Sequence, residues 1–394
     1  MTKLPPADWT RRPGLARLAD ALGPGQVRWV GGAVRDTLAS LPVKDVDAAT
    51  PLPPEDVTRR LEAAGIRAVP TGIDHGTITA VLEDGPVEVT TLRRDVSTDG
   101  RHATVEFSDD WREDAARRDF TINALYADPR TLELFDWFGG LDDLAAHRVR
   151  FIGDARQRIR EDHLRILRYY RFQCRFGSEL DDEAEAACAE LAPALKGLSR
   201  ERVWWELRHL LALPDPAATV ARMHKAGVLP VVLPEASPVQ LAALAALVTA
   251  EQAQGVAPDA LRRIAALLPA DRARAEDAAA RLRLSKAQRE RLGCVAARQA
   301  DDGANPRALA YRLGRECATD RLLLAGASVD PIRDWPIPHF PLKGGEIVAR
   351  GVAAGPEVAR LLRAVEARWI EEGFPGPPRV ALLLDEVLAG SSTP

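Results

Sequence analysis

The sequence is poor in cysteine and in aromatic residues. It contains four cysteines in 394 residues, and Phe, Trp and Tyr together make up 5% of the chain. Cys174, Cys188, Cys294 and Cys317 lack the close spacing of a metal-binding cluster, and each lies within a helical pattern. We therefore expect four buried free thiols, which are typical of a protein from a reducing compartment.

Long apolar runs and a strong net charge are also missing. No segment approaches the roughly 20 apolar residues of a membrane-spanning helix, and the N-terminus lacks the basic-then-apolar pattern of a signal peptide. The formal net charge is −4, so the composition as a whole does not indicate nucleic-acid binding. The sequence thus predicts a cytoplasmic protein with no membrane contact, in which any basic surface is local. Nine arginines between residues 148 and 175 form one such region.

The segment 27–50 combines two features of phosphate chemistry. A short apolar strand over 27–30 leads into Gly31-Gly32 and a helix over 33–40, an arrangement that directs backbone N–H groups toward a phosphate. Asp45 and Asp47 follow on a second predicted strand, where a separation of two places both carboxylates on one face, able to bind divalent cations. Together these features indicate phosphoryl or nucleotidyl transfer.

Other interpretations of this segment are weaker. A lone Asp-x-Asp is usually only a solvated surface pair. The glycine pair lacks the third glycine of a dinucleotide-binding turn, and no Gly-Lys-Ser/Thr of a nucleoside-triphosphatase loop is present. The strand predicted over 87–92 adds Glu88, which either joins the two aspartates or faces solvent from an edge strand. The polar segment from Arg94 to Asp110 is predicted to be a long loop.

Three motifs resemble those of the class II nucleotidyltransferases, which comprise tRNA CCA-adding enzymes and bacterial poly(A) polymerases. The first is Gly31-Gly32-Ala33-Val34-Arg35-Asp36 followed by Asp45-Val46-Asp47. The second is Arg117-Arg118-Asp119-Phe120-Thr121-Ile122-Asn123-Ala124. The third is Glu161-Asp162-His163-Leu164-Arg165, within a single helix predicted over 155–176. Without the resemblance, Asp162 and Arg165 would be taken for an ordinary ion pair on an amphipathic helix.

The resemblance implies a role for each matching residue. Asp45 and Asp47 would hold two Mg²⁺ ions, with Glu88 as a third catalytic acid. Nucleotide binding is expected of Gly32, Arg35, Arg118, Asp162, Arg165, Arg168 and Arg171. Asp162 accepts hydrogen bonds and Arg165 donates them, so the pair matches the amino group and ring-nitrogen acceptor that C and A share and that U and G lack.

The expected fold is α+β. An N-terminal nucleotidyltransferase head with a small mixed sheet (1–147) is followed by a helical neck (148–213), a helical body (214–330) and a tail (331–394). Glycine turns before helices in the tail suit RNA phosphates, although a small capping helical hairpin explains them equally well.

The function expected from this resemblance is addition of C, C and A to the 3′ end of tRNA from CTP and ATP, with release of pyrophosphate. The alternatives are a poly(A) polymerase, an enzyme that adds only A, an enzyme that adds only C, and an RNA-binding protein that has lost activity. The net charge of −4 disfavours the first alternative, the Arg94–Asp110 loop disfavours the C-only enzyme, and the intact Asp45 and Asp47 disfavour the last. Nothing in the sequence indicates a protein partner, and the oligomeric state stays open.

Overall fold

The computed structural model describes residues 2–72, 76–99 and 102–391. The chain divides into two compact units, Met1–Pro234 and Glu235–Pro394. The first unit contains a mixed β-sheet with helices, and the described part of the second is helical. The predicted α+β class, with a mixed-sheet domain followed by helices, is confirmed. The finer division at residues 147, 213 and 330 stays a prediction.

A seven-stranded mixed sheet is the framework of the first unit. The described strands are β1 (Arg28–Val30), β2 (Asp47–Thr50), β3 (Arg67–Gly72), β4 (Thr77–Val81), β5 (Val87–Thr91), β6 (Arg93–Asp99), β7 (His102–Phe107), β8 (Tyr126–Ala127) and β9 (Leu134–Phe135). The strand order in the sheet is β3-β4-β5-β2-β1-β8-β9. β2 and β5 run parallel, and the other neighbours pair antiparallel. This register places Asp47 directly beside Glu88.

Helices cover the sheet because successive strand residues face opposite sides. Trp29 packs in a large apolar cluster with α1 (Pro13–Leu22), α2 (Gly32–Leu38) and α3 (Pro54–Ala63). Its neighbour Val30 belongs to a second cluster on the other side of the sheet. Proline opens α1 and α3, where its fixed φ suits the first turn and its missing N–H costs nothing.

The long loop predicted over Arg94–Asp110 is wrong. β6 and β7 pair antiparallel as a two-stranded hairpin, with Arg93 opposite Phe107 and Arg94 opposite Glu106. An exposed ion pair of 2.9 Å joins the side chains of Arg94 and Glu106. β6 contains a single apolar residue, Val96, and so gives no strand signal, whereas β7 does alternate polar residues with the apolar Ala103, Val105 and Phe107.

The single helix predicted over 155–176 is also wrong. The remaining helices of the first unit are α4 (Trp111–Ala116), α5 (Gly140–Ala145), α6 (Ala155–Glu161), α7 (Arg165–Phe176), α8 (Asp182–Leu191), α9 (Arg200–Leu211), α10 (Ala217–Lys225) and α11 (Val228–Val232), with short 3₁₀ helices at Asp8–Arg11, Thr121–Asn123 and Ala192–Gly197. Between α6 and α7, Asp162 is extended (φ −151°, ψ 106°), and its carboxylate accepts a hydrogen bond from the Leu164 N–H at 3.1 Å. Such local bonding of an Asp side chain competes with helix continuation.

The second unit is a set of packed helices. They are α12 (Pro238–Ala253), α13 (Ala260–Ala266), α14 (Arg272–Arg281), α15 (Lys286–Ala296), α16 (Pro306–Leu313), α17 (Arg315–Leu324), α18 (Asp330–Arg333), α19 (Gly344–Val348), α20 (Pro356–Glu371) and α21 (Pro377–Ser391). An apolar cluster that includes Ile347, Leu361, Trp369 and Leu383 joins the last three. No helix among the described residues is both long enough and apolar enough to cross a lipid bilayer.

The expectation of four free thiols is wrong for one pair. Cys294 in α15 and Cys317 in α17 form a disulfide, while Cys174 and Cys188 are thiols, the former half-buried and the latter buried. The paired cysteines are 23 residues apart, and only the packing of α15 on α17 brings them together.

Candidate active site

A cavity of about 410 Å³ lies where the ends of β1 and β2 face α7 and α9. Asp47 lines it at the start of β2. Six of the seven predicted nucleotide-binding residues line it as well: Gly32, Arg35, Arg118, Asp162, Arg165 and Arg168. The seventh, Arg171, lines a neighbouring cavity of about 540 Å³ that shares Gly32, Arg35 and Asp47 with the first. The structure therefore brings together residues that three separate motifs contribute.

The turn after β1 depends on glycine. Gly31 has a φ of +68°, a conformation that residues with a side chain rarely adopt. A Cβ atom at this position would also lie 3.4 Å from Nη1 of Arg118. Gly31 thus allows the chain to turn from β1 into α2 beside the Arg118 guanidinium, and Gly32 is exposed to the cavity as the first residue of α2.

Asp45 and Asp47 lie on the same side of the chain, although not on the same strand. Asp45 precedes β2 in a loop and is exposed, which corrects the prediction that it lies within the strand. Val46 between them is buried, and both carboxylates line the second cavity. Glu88 is exposed on β5 and pairs in register with Asp47.

The electrostatics of Asp47 indicate a place for positive charge. Burial and the neighbouring Glu88 charge raise the pKa of Asp47 to about 6. Asp45 adds to this effect, and Arg118 partly opposes it. No group of three or more His, Cys, Asp or Glu side chains in 2–72, 76–99 and 102–391 is arranged to hold a metal ion. The donors nevertheless fit Mg²⁺, which is usually bound by one or two carboxylates together with water and substrate phosphates.

Arg35 is buried, and several side chains contact its guanidinium. Its Nε and Nη2 contact the Asp36 carboxylate at 2.8 and 2.6 Å, and its Nη1 donates to Oδ1 of Asn123 at 2.5 Å. Burial lowers the pKa of Arg35, and the Asp36 charge opposes this effect. Its guanidinium also lies 4.5 Å from the centre of the Phe176 ring. These contacts favour a role in positioning α2, while direct contact with a triphosphate stays a prediction.

The Arg118 side chain is held in place by hydrogen bonds to Tyr126 and Asp114. It donates to Tyr126 Oη at 3.0 Å and to Asp114 Oδ2 at 3.1 Å, and Tyr126 donates to the same carboxylate oxygen at 2.6 Å. Burial alone would lower the pKa of Arg118, but Tyr126 and Asp114 outweigh that effect and raise it. Arg118 therefore presents a permanent positive charge in a set orientation.

Asp162 and Arg165 also have defined partners. The Arg165 Nη1 group donates to Oε2 of Glu161 at 2.6 Å and to the Arg158 carbonyl at 2.8 Å. Asp162 accepts from Arg202 Nη2 at 2.6 Å. Tyr169, four residues after Arg165 in α7, is fully buried and does not line the cavity. Asp162, the predicted acceptor for the base, and Arg165, the predicted donor, both line the cavity.

Asp119 also lines the cavity, although it is not among the predicted site residues. It accepts hydrogen bonds from Arg168 Nε at 2.7 Å and from the Asn123 side chain at 2.8 Å, and its ion pair with Arg168 brings Nη2 within 2.6 Å. Burial alone would raise the pKa of Asp119, but Arg168 and these hydrogen bonds lower it to about 2. Asp119 belongs to the second motif, but its partner Arg168 is 49 residues away, so the spacing within the motif does not reveal the contact.

Two family models match the chain. One, described as the poly A polymerase head domain, covers residues 27–150, and one described as the probable RNA and SrmB- binding site of polymerase A covers residues 177–239. The CCA tRNA nucleotidyltransferase 1, mitochondrial, of Mus musculus is 35% identical over 377 residues, which are 89% of this chain and 84% of that protein. The chain belongs to the CCA tRNA nucleotidyltransferase family.

Further relatives agree with this membership. The CCA-adding enzyme of Streptococcus sanguinis is 42% identical over 188 residues, 47% of this chain and 46% of that protein. The crystal structure of the Bacillus stearothermophilus CCA-adding enzyme in complex with CTP is 27% identical, with a TM-score of 0.78 over 98% of this chain and 99% of that chain. The resemblance drawn from the three motifs is thus confirmed, and the chain is a nucleotidyltransferase.

The Asp119–Arg168 pair predicts a stability change with a defined pH dependence. A carboxyl whose pKa falls on folding stabilises the protein above its unfolded pKa, and this stabilisation is lost as the pH falls through the folded value. A pKa of about 2 against 3.8 corresponds to about 2 kcal/mol. Asp119→Asn should therefore lower the midpoint of thermal unfolding of the first unit by about 4–8 °C at pH 7.

The same measurement at several pH values tests the sign. The difference between wild type and Asp119→Asn should stay constant from pH 7 to pH 5 and shrink below about pH 4. Asp182→Asn, at an exposed position in α8, is the matched control and should change little at any pH. A difference that grows as the pH falls would contradict the assignment.

Proposed function

We propose that this protein adds C, C and A to the 3′ end of tRNA, using CTP and ATP and releasing pyrophosphate. The supporting observation is one cavity that contains both a carboxylate for metal-assisted transfer, Asp47, and a fixed donor–acceptor pair for the base, Arg165 and Asp162. Membership of the CCA tRNA nucleotidyltransferase family supports the same substrates. Poly(A) addition and A-only addition are the competing outcomes.

Each part of the nucleotide has a place in this proposal. The base lies against Asp162 and Arg165, and the triphosphate faces Gly32, Arg35 and Arg118. Mg²⁺ bound by Asp45 and Asp47 would stabilise charge on the attacking 3′-hydroxyl and on the departing pyrophosphate. The charge of Glu88 strengthens the negative potential at Asp47. Arg168 and Arg171 add positive charge to the lining of the two cavities. The tail, residues 331–394, is proposed to bind tRNA.

Selection of C and A follows from the fixed polarity of the pair. An exocyclic amino group donates to Asp162, and the adjacent ring nitrogen accepts from Arg165. Against U or G, Asp162 would face a carbonyl oxygen and Arg165 would face an N–H, so both charges would lose their partners. The discrimination requires that neither side chain turns away, which the contacts of both residues favour.

The compartment stays a prediction. The cytoplasm was expected from the absence of a signal-peptide pattern, while the Mus musculus relative is named as a mitochondrial protein. The proposed chemistry is the same in either compartment.

Removal of either aspartate tests the proposed transfer. Asp45→Ala and Asp47→Ala should each abolish incorporation of CTP and ATP into tRNA, because the pair would no longer hold the cation that the reaction needs. Labelled-nucleotide incorporation at several Mg²⁺ concentrations is the measurement, with circular dichroism to verify folding. Glu55→Ala, at an exposed carboxylate in α3, is the control and should retain activity. Appreciable Mg²⁺-dependent incorporation by either aspartate variant would contradict the assignment.

Base selection is tested separately through Asp162. Asp162→Ala should reduce the preference for CTP over UTP by roughly ten- to a hundredfold, the usual cost of one mismatched contact pair. Arg35→Ala, in contrast, should lower kcat/KM for all nucleotides alike, because Arg35 contacts no base-selecting residue. The measurement is kcat/KM for the four nucleotides with each variant. An equal loss for CTP and UTP in Asp162→Ala would exclude this residue as the selector.

A further inference from the structure

The carboxylate of Asp162 is oriented by two donors, one on each oxygen. The backbone N–H of Leu164 donates to Oδ1 at 3.1 Å, and Nη2 of Arg202 donates to Oδ2 at 2.6 Å. Asp162 itself lies in the break between α6 and α7, where its carbonyl oxygen accepts a hydrogen bond from the Arg165 N–H at 3.0 Å. The side chain is about one-third exposed at 30%, so packing alone does not fix its rotamer.

Arg202 reaches Asp162 from a different helix. It lies in the first turn of α9, 40 residues further along the chain, and it lines the same cavity as Asp162 and Arg165. The Arg202 side chain is 36% exposed, and its one hydrogen bond within the described part of the chain is the bond to Asp162. Arg202 lies outside the three motifs that pointed to the site.

We propose that Arg202 is a positioning residue for base selection, which holds the Asp162 carboxylate so that its free lone pairs face the base. This inference rests on the proposed role of Asp162. A carboxylate oxygen can accept more than one hydrogen bond, so the bond from Arg202 leaves Asp162 able to accept from an amino group. Arg202 thereby orients the acceptor Asp162. Glu161 and the Arg158 carbonyl orient the donor Arg165 in the same way.

Loss of this bond affects C and U differently. With a mobile carboxylate, CTP loses an aligned acceptor for its amino group. UTP loses part of its penalty, because the carboxylate can move away from the carbonyl oxygen that it would otherwise repel. A purely structural role of Arg202 would instead weaken both nucleotides by the same factor.

The test is the ratio of kcat/KM for CTP to that for UTP in Arg202→Gln, with full-length protein and tRNA lacking its 3′ CCA. The ratio should fall by roughly three- to tenfold, part of the effect of losing a whole contact pair. Arg202→Lys keeps a positive charge within reach of Asp162 and should recover most of the ratio, although without the planar fork of arginine. Arg208→Gln, at an exposed position in the same helix, is the matched control and should leave the ratio unchanged.

Asp162→Ala, measured in parallel, distinguishes the role of Asp162 as the selector from the role of Arg202 in orienting it. A lowered ratio in Asp162→Ala together with an unchanged ratio in Arg202→Gln overturns the role of Arg202 and leaves the selector intact. An unchanged ratio in Asp162→Ala overturns the selector and the role of Arg202 with it. A lowered ratio in both, with no further loss in the double variant, supports the inference.

Discussion

The contact on which the first unit's candidate active site depends is the hydrogen-bonded ion pair between Asp119 and Arg168. Asp119 belongs to the segment that packs beside the sheet, and Arg168 belongs to α7, which carries Arg165. Through Asn123, the same carboxylate is connected to Arg35 and hence to α2. The helix that carries Arg165 and the turn after β1 are therefore connected by one network of polar contacts, in which Asp119 is buried and Arg168 is partly exposed.

In the proposed selection of C and A, specificity depends on how the two side chains are oriented, since a carboxylate and a guanidinium are common groups. A carboxylate only accepts hydrogen bonds and a guanidinium only donates them, and the cavity holds one of each facing the same space. The break between α6 and α7 allows this geometry, because Asp162 leaves the helix while Arg165 starts the next one. Both residues are half-buried, and each has charged partners that hold its side chain.

Local sequence identified the residues of the site but not the contacts that hold them. Gly32, Asp47 and Arg165 belong to motifs whose resemblance to a family implies their roles, and the structure brings six of the predicted nucleotide-binding residues to one cavity. The bonds of Asp119 to Arg168 and of Asp162 to Arg202 join residues 49 and 40 positions apart. They depend on how α7 and α9 pack, which no spacing reveals. The β6–β7 hairpin differs from the predicted loop because β6 is polar apart from Val96, so the alternation within β7 alone did not indicate a strand pair.

The central claim is that this chain adds C, C and A and then stops. The most direct measurement incubates the protein with Mg²⁺ and a tRNA that lacks its 3′ CCA, with labelled CTP and ATP, and sizes the product to single-nucleotide resolution. Three added nucleotides, two C followed by one A, are the result that the account predicts. A long ladder of A residues would indicate a poly(A) polymerase, and addition of A only to a tRNA already ending in CC would indicate an A-only enzyme; either result would contradict the account.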